Sequence, residues 1–189
     1  ATLMDGRGDV LTFGGQVMKN VAGYDLSRLL AGSMGVLGVV LEVSLKVLPR
    51  PKAVETVVLP ADEADALARM DGWRRLPLPV QASAWHAGTL SVRLAGARAA
   101  VASALRQLGG RRLDADAEAQ HWAGLRDQRH GFFQARAGLP EGQEGALWRL
   151  SLPAATPPLG LQADTCIEWG GCLRWLRTQG YNYKTVLLV

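Results

Sequence analysis

Three glycines recur at three-residue intervals in the run Gly32-Ser33-Met34-Gly35-Val36-Leu37-Gly38. A stretch that lacks Cβ atoms on one side lets a flat or phosphate-bearing ligand approach the main chain and bond its amides, and Ser33 adds a hydroxyl. The same spacing also serves a tight turn with close helix–strand packing, and spacing alone leaves both readings open. Gly14-Gly15 and Lys19-Asn20-Val21-Ala22-Gly23-Tyr24-Asp25 bring further glycines and polar groups to the same segment. Two familiar phosphate loops are excluded. The dinucleotide fingerprint G-x-G-x-x-G follows a strand and opens a helix, whereas these glycines follow a predicted helix and precede a strand. A P-loop needs Lys-Ser or Lys-Thr after its last glycine, and Gly38 is followed by Val39-Val40.

Other residue types with chemical capacity read as structural. Asp25 suits a helix N-cap better than a catalytic base, and Lys19 a solvated charge better than a nucleophile. His86, His121 and His130 are dispersed along the chain. His121 and Trp122 fall in a predicted helix and His130 in an Arg-rich loop, so no metal site is expected. Cys166 and Cys172 have five residues between them, which suits neither a zinc finger nor a redox C-x-x-C pair. Trp85, Trp148 and Trp169 alternate with apolar residues in strand-like segments and are expected in core or cap packing. Arg126, Arg129 and Arg149 have the chemistry to hold a carboxylate, but solvated or ion-paired arginines are the expectation. No Ser-His-Asp order, paired carboxylates or activated cysteine supports a hydrolase.

The elements that must position these residues follow from periodicity. Residues 1–4 and 10–13 read as short strands around an Asp5-to-Asp9 turn. Asp25 can cap a short helix with Leu26, Leu29 and Leu30 on one face, ended by Gly32. Leu41, Val43, Leu45 and Val47 alternate with Glu42, Ser44 and Lys46 and predict one long strand with a wet face. Beyond Pro49-Arg50-Pro51, the pattern predicts a strand at 54–59 and a helix at 62–70 with Ala64, Leu67 and Ala68 inward. A hairpin over 80–85 and 89–94, a helix at 97–108 stopped by Gly109-Gly110, and a strand from Arg111 follow. This β-α-β-β-α-β order is the ferredoxin-like arrangement. A helix at 115–127 and strands at 146–152 and 165–169 come next, then a turn at Gly170-Gly171. Residues 179–189 carry no recognisable pattern.

Composition bounds the class. The 189 residues are 48% hydrophobic and 20% charged, enough apolar material for a packed core and too much for a disordered chain. No apolar run approaches the ~20 residues of a membrane span. The net charge of +4 comes from scattered basic residues without a basic, aromatic-studded stripe, so nucleic acid is not an expected partner. The cysteine usage suits a reducing, cytoplasmic setting. All six tryptophans lie beyond residue 51, a shift in composition that marks a domain boundary there.

With these residues in view, a resemblance appears. The sequence Asn20-Val21-Ala22-Gly23-Tyr24-Asp25-Leu26, followed by Gly32-Ser33-Met34-Gly35-Val36-Leu37-Gly38 and Val39-Val40-Leu41-Glu42, resembles the signature of FAD-linked oxidases of the vanillyl-alcohol-oxidase/PCMH type. Trp85-His86-Ala87-Gly88, the stretch from Trp122 to Arg129 with Phe132-Phe133, Leu147-Trp148-Arg149-Leu150-Ser151-Leu152-Pro153 and Ile167-Glu168-Trp169-Gly170-Gly171 are similar to the FAD-binding E subunits of bacterial glycolate oxidases.

The resemblance implies an α+β fold: the C-terminal part of a PCMH-type FAD-binding domain over residues 1–51, whose N-terminal half would precede Ala1, followed by an incomplete ferredoxin-like α+β cap domain over 52–178 and an atypical tail over 179–189. It implies FAD as cofactor, with Ser33, Gly35 and Gly38 near it, Val39 and Val40 as backbone contacts near its adenosine end, and Gly23, Tyr24 and Asp25 in the pocket. Catalytic residues are not assigned. The implied activity is oxidation of glycolate or a similar 2-hydroxy acid by hydride transfer to flavin, within a complex holding a second flavin subunit and an iron–sulfur subunit. The implied location is cytoplasmic, with any membrane association through partners.

Because the family's pyrophosphate loop belongs to the earlier half of the FAD domain, this chain alone is expected to bind FAD poorly and to be inactive. Losing two charge-assisted bonds, each worth about 1.5–3 kcal/mol, weakens binding by a factor on the order of a hundred or more. Two rivals stand beside this reading. One is a non-catalytic assembly module of a flavoprotein complex, which predicts an exposed apolar patch. The other is a free-standing ferredoxin-like sensor of small molecules, which needs a complete pocket built only from Lys52 onward.

Overall fold

The computed structural model describes residues 1–14, 25–134 and 145–178. The chain divides into two compact units, Ala1–Pro49 and Arg50–Val189.

In the first unit, β1 (Thr2–Met4) pairs antiparallel with both β2 (Val10–Thr12) and β3 (Val39–Glu42), giving the strand order β2-β1-β3. The Asp5-to-Asp9 turn closes because Asp5 Oδ1 accepts from the amides of Arg7 and Asp9 at 2.8 and 3.0 Å. Helix α1 (Leu26–Leu29) begins at Asp25, whose Oδ1 accepts from the Arg28 amide. Two expectations are corrected. The strand ends at Glu42, and Val43, Leu45 and Val47 lie 55–78% exposed outside any strand. Alternation marks two faces, but a strand also needs a neighbour to bond, and among the described residues β3 has one on β1's side alone. The leucines Leu26 and Leu29 of α1 are likewise exposed rather than packed.

The second unit is built on one seven-stranded antiparallel sheet. Its elements run β4 (Ala53–Pro60), α2 (Glu63–Trp73), β5 (Val80–His86), β6 (Thr89–Gly96), α3 (Arg98–Leu108), β7 (Arg111–Arg112), α4 (Ala115–Arg126), α5 (Gly131–Gln134), β8 (Leu147–Ser151), β9 (Asp164–Glu168) and β10 (Leu173–Arg177). The sheet order is β7-β4-β6-β5-β9-β10-β8. Its first four places are the fourth, first, third and second strands of the β-α-β-β-α-β unit, which is the ferredoxin-like order. The fold is therefore α+β, with β9, β10 and β8 extending the sheet past β5. The β5–β6 hairpin turns on Ala87 and Gly88, both at positive φ (46° and 77°), the conformation a two-residue hairpin requires.

Period-two alternation gives this sheet two apolar faces. Val57, Leu59, Leu90, Val92 and Leu94 pack with Ala66, Leu67 and Met70 of α2 and Val101 and Ala104 of α3. Ala84 and Cys166 pack with Leu125 of α4 and Phe132 and Phe133 of α5. Helix α2 thus buries Ala66 and Met70 where the sequence pattern put Ala64 and Ala68, both exposed. The capping carboxylate Asp62 Oδ1, bonded to the Asp65 amide at 2.8 Å, sets the start of that helix and with it the face turned inward. Helix α4 is held to the sheet by Trp122, whose Nε1 donates to Thr56 Oγ1 at 2.9 Å.

Strand β10 was not anticipated, although it pairs on both edges, with β9 and with β8. Its fully buried Arg174 donates to the carbonyls of Gly171, Pro157 and Thr156, tying the loop before β9 to the sheet.

Candidate functional site

Residues 32–38 form successive turns on the surface of the first unit. The Val36 amide donates to Ser33 O at 3.1 Å and the Gly38 amide to Gly35 O at 3.3 Å. The amides of Met34, Gly35 and Leu37 have no acceptor among the described residues. Met34 is 94% exposed and adopts positive φ, as do Gly32, Gly35 and Gly38. A Cβ at Gly35 would meet no atom of the described residues within 4 Å, so among them this face of the turn is open. A Cβ at Gly38 would lie 2.5 Å from Met4 O, so there the missing side chain lets β3 enter its pairing with β1. The missing side chain thus serves close packing at Gly38, while Gly35 leaves its main chain bare among the described residues.

Val39 and Val40 lie on β3, an edge strand of its sheet, opposite Met4 and Leu3. Peptide groups on the outer side of an edge strand are open to a ligand. Asp25 is engaged as the cap of α1, and its Oδ2 pairs with Arg28 Nε at 3.0 Å. Gly23 and Tyr24, like Lys19, lie outside the described residues, as does the tail 179–189.

The second unit gathers groups that the sequence scatters. His86, His121 and His130 meet edge to face, with ring centroids 5.4 Å apart for His86 and His130 and 5.7 Å for His121 and His130. They line a cavity of about 400 Å³ between α4 and the sheet. The sequence hides this because β5, α4 and the turn before α5 each supply one histidine, and only the sheet order brings them together. Among the described residues no group of three His, Cys, Asp or Glu is arranged to hold a metal ion.

Burial pushes the His121 imidazole below its usual range, and the nearby His130 adds to that. His130 is lowered in the same way by burial and by His86. Cys166, also on the cavity wall, is pushed up to about 12 by burial, with Glu168 and Asp164 contributing, so its thiol stays protonated.

Arg126 and Arg129 are both paired with Asp127, at 2.7 Å each, and Arg149 lies over the rings of Trp169 and Trp175. Trp85 is buried, its Nε1 donating to Ala61 O at 2.7 Å. Trp169 is a correction: it is 65% exposed rather than buried in a core, and stands at positive φ in the 3₁₀ turn Trp169–Gly171 that follows β9. No helix among the described residues is long and apolar enough to cross a membrane.

No family model matches the chain. Over 176 residues, 93% of its length, the chain is 42% identical to glycolate oxidase subunit GlcE of Escherichia coli (strain K12), and covers 47% of that protein. It is 44% identical over 62 residues to glycolate oxidase subunit GlcD of Bacillus subtilis (strain 168), matching 33% of this chain and 13% of that one. A D-lactate dehydrogenase of Anaerostipes hadrus is 38% identical over 58 residues, 31% of this chain and 12% of that enzyme. The chain thus spans about half the length of the curated relative it matches end to end, and far less of the others.

Proposed function

We propose that the chain is part of the FAD-binding subunit of a glycolate oxidase complex, and that the complex oxidises glycolate or a similar 2-hydroxy acid by passing hydride to flavin. The observation that carries this reading is the 42% identity with glycolate oxidase subunit GlcE over 93% of the chain. The open turn at 32–38 supports it, since unengaged amides and absent Cβ atoms suit a dinucleotide lying along the main chain. In this reading Ser33, Gly35 and Gly38 approach the cofactor, Val39 and Val40 offer backbone groups toward its adenosine end, and Gly23, Tyr24 and Asp25 belong to the same pocket.

Residues 1–51 would then be the later part of a PCMH-type FAD-binding domain and 52–178 a cap domain. The exposed apolar side chains of the first unit would be covered by the rest of the FAD domain. Bound flavin supplies the hydride acceptor; the chain's own groups bind and orient it. A second flavin subunit and an iron–sulfur subunit, working with this one in the cytoplasm, would complete the assembly.

The test is a chimera in which this chain replaces the matching segment of the Escherichia coli subunit GlcE. The chimera is expected to purify with flavin, and Gly35→Val is expected to lower its flavin content severalfold by placing a branched side chain on the open face at positive φ. A well-folded chimera without flavin absorbance would sink the reading.

A further inference from the structure

Among the described residues of the second unit, the three large apolar side chains left exposed all line one groove. They are Leu76, Val80 and Trp169, joined there by the half-buried Trp73 and Leu78. The groove holds about 690 Å³ and lies beside the start of β5, where the end of α2 and the turn Trp169–Gly171 also contribute. Single exposed apolar residues need no explanation, but a gathered patch does.

The same groove exposes main chain. Strand β9 pairs with β5 from Ala84 to His86 only, and after Glu168 the chain departs into the 3₁₀ turn. Val80–Ser83 therefore has β6 on one side and no strand on the other among the described residues. No backbone bond joins Gln81, Ala82 or Ser83 to that turn; the Gly170 amide donates to Ser83 Oγ at 3.0 Å instead. An open strand edge is a template for another extended chain, whose own peptide groups complete its hydrogen bonds. Trp169 adds a second sign. It stands at φ 54°, a conformation unusual for a bulky residue, with its ring held outward. Local strain of this kind gathers at functional sites, and tryptophan is a favoured interface anchor.

We propose that this groove docks a short extended segment of a partner protein, which adds to the free edge of β5, sets apolar side chains against Trp169, Leu76 and Val80, and carries a carboxylate toward an arginine rim. Arg74 lines the groove and shares the Asp71 carboxylate with Arg75, while Arg149 lies over the Trp169 ring at 5.7 Å. The other nearby carboxylate, Glu168, is half-buried and accepts from Trp175 Nε1 at 2.8 Å. Three guanidiniums against two carboxylates leave the rim positive. A second copy of this chain docked symmetrically would bring those arginines face to face, so charge favours an acidic partner over self-association.

The experiment is titration of the full chain with seven-residue peptides, followed by tryptophan fluorescence and by NMR of the indole signals. The parent peptide alternates leucine with threonine between terminal aspartates. A second peptide ends in lysines, and two more carry the parent sequence N-methylated on one or the other set of alternate amides. The parent peptide is expected to saturate and to shift the Trp169 indole signal, identified by its loss in Trp169→Ala. The lysine-ended peptide should bind severalfold more weakly, with the gap closing at high salt. One N-methylated peptide should bind at least tenfold more weakly, because its edge bonds are gone. Trp169→Ala should weaken the parent peptide about tenfold or more, and Leu76→Ser, also at an exposed position, severalfold. The proposal is overturned if the parent peptide does not saturate, if the lysine-ended peptide or both N-methylated peptides bind as tightly as it does, or if the two folded variants bind it like the parent chain. Self-association that Trp169→Ala abolishes, seen by sedimentation, would also overturn it by making a second copy the occupant. No flavin is involved, so failure here leaves the chimera test unaffected, and the reverse also holds.

Discussion

The two units spend their apolar residues in opposite ways. Of the described large apolar side chains left exposed, fourteen of seventeen lie within residues 1–49, while among the described residues of that unit Leu3 is the one buried apolar side chain. The second unit closes two apolar faces of one sheet, with helices α2 and α3 on one and α4 and α5 on the other. Both units have strands and helices of ordinary sequence pattern. What separates them is closure: among the described residues the three-stranded sheet has no layer covering its faces, whereas the seven-stranded sheet has helices on both sides.

The sharpest way to break this comparison is to remove apolar bulk from each unit in turn. Leu94 is fully buried and Leu45 is 78% exposed. Leu94→Ala should cost about 2–5 kcal/mol, and Leu45→Ala less than about 0.5 kcal/mol. Chemical denaturation followed by tryptophan fluorescence measures the first directly, because all six tryptophans belong to the second unit. Circular dichroism is needed for the second. Equal losses in the two units would mean that residues 1–49 pack far better than their exposure indicates.

A smaller effect separates the two faces of the sheet in the second unit. His121 and His130 are held below the usual histidine range by burial, and both belong to the α4 side. The sign follows from proton counting. Once pH falls below about 6.5, the unfolded chain binds protons that the folded histidines resist, so stability declines with falling pH until the folded-state values are passed. Urea midpoints measured from neutral to mildly acidic pH should fall, and His121→Phe should flatten the decline. An unchanged slope in that variant would move the acid sensitivity elsewhere.

How far the sequence foretold this arrangement depended on whether the controlling contact was local. The β-α-β-β-α-β order was readable because turn glycines, caps and alternation are local signals: Asp62 and Asp114 cap their helices and Ala87-Gly88 turns the hairpin. Strand β10 was missed because Arg174 interrupts its apolar pattern, and only the carbonyls of Gly171, Pro157 and Thr156 explain how that charge is buried. The strand over 41–47 was overextended for the opposite reason, since its pattern is clean but its partner is not among the described residues. At the glycine turn the spacing announced missing side chains, yet only coordinates separate Gly35, open, from Gly38, packed on Met4. The histidine cavity was invisible, because its three rings reach one place only through the strand order.

The smallest predicted effect concerns the most exposed of the three large apolar side chains left open in the second unit, Trp169. Its ring gains a cation–π contact from Arg149 at 5.7 Å, worth about 0.5–1 kcal/mol at an exposed site. Its backbone stands at φ 54°, where a residue with a Cβ loses roughly 1–2 kcal/mol relative to glycine. The two terms oppose each other, so Trp169→Gly should leave stability within about 1 kcal/mol of the parent chain. Trp169→Ala keeps the backbone cost and loses the contact, so it should be the less stable of the two variants. If instead Trp169→Gly costs as much as Leu94→Ala, the ring is packed in solution, and the contrast between a closed second unit and its single outlying tryptophan disappears.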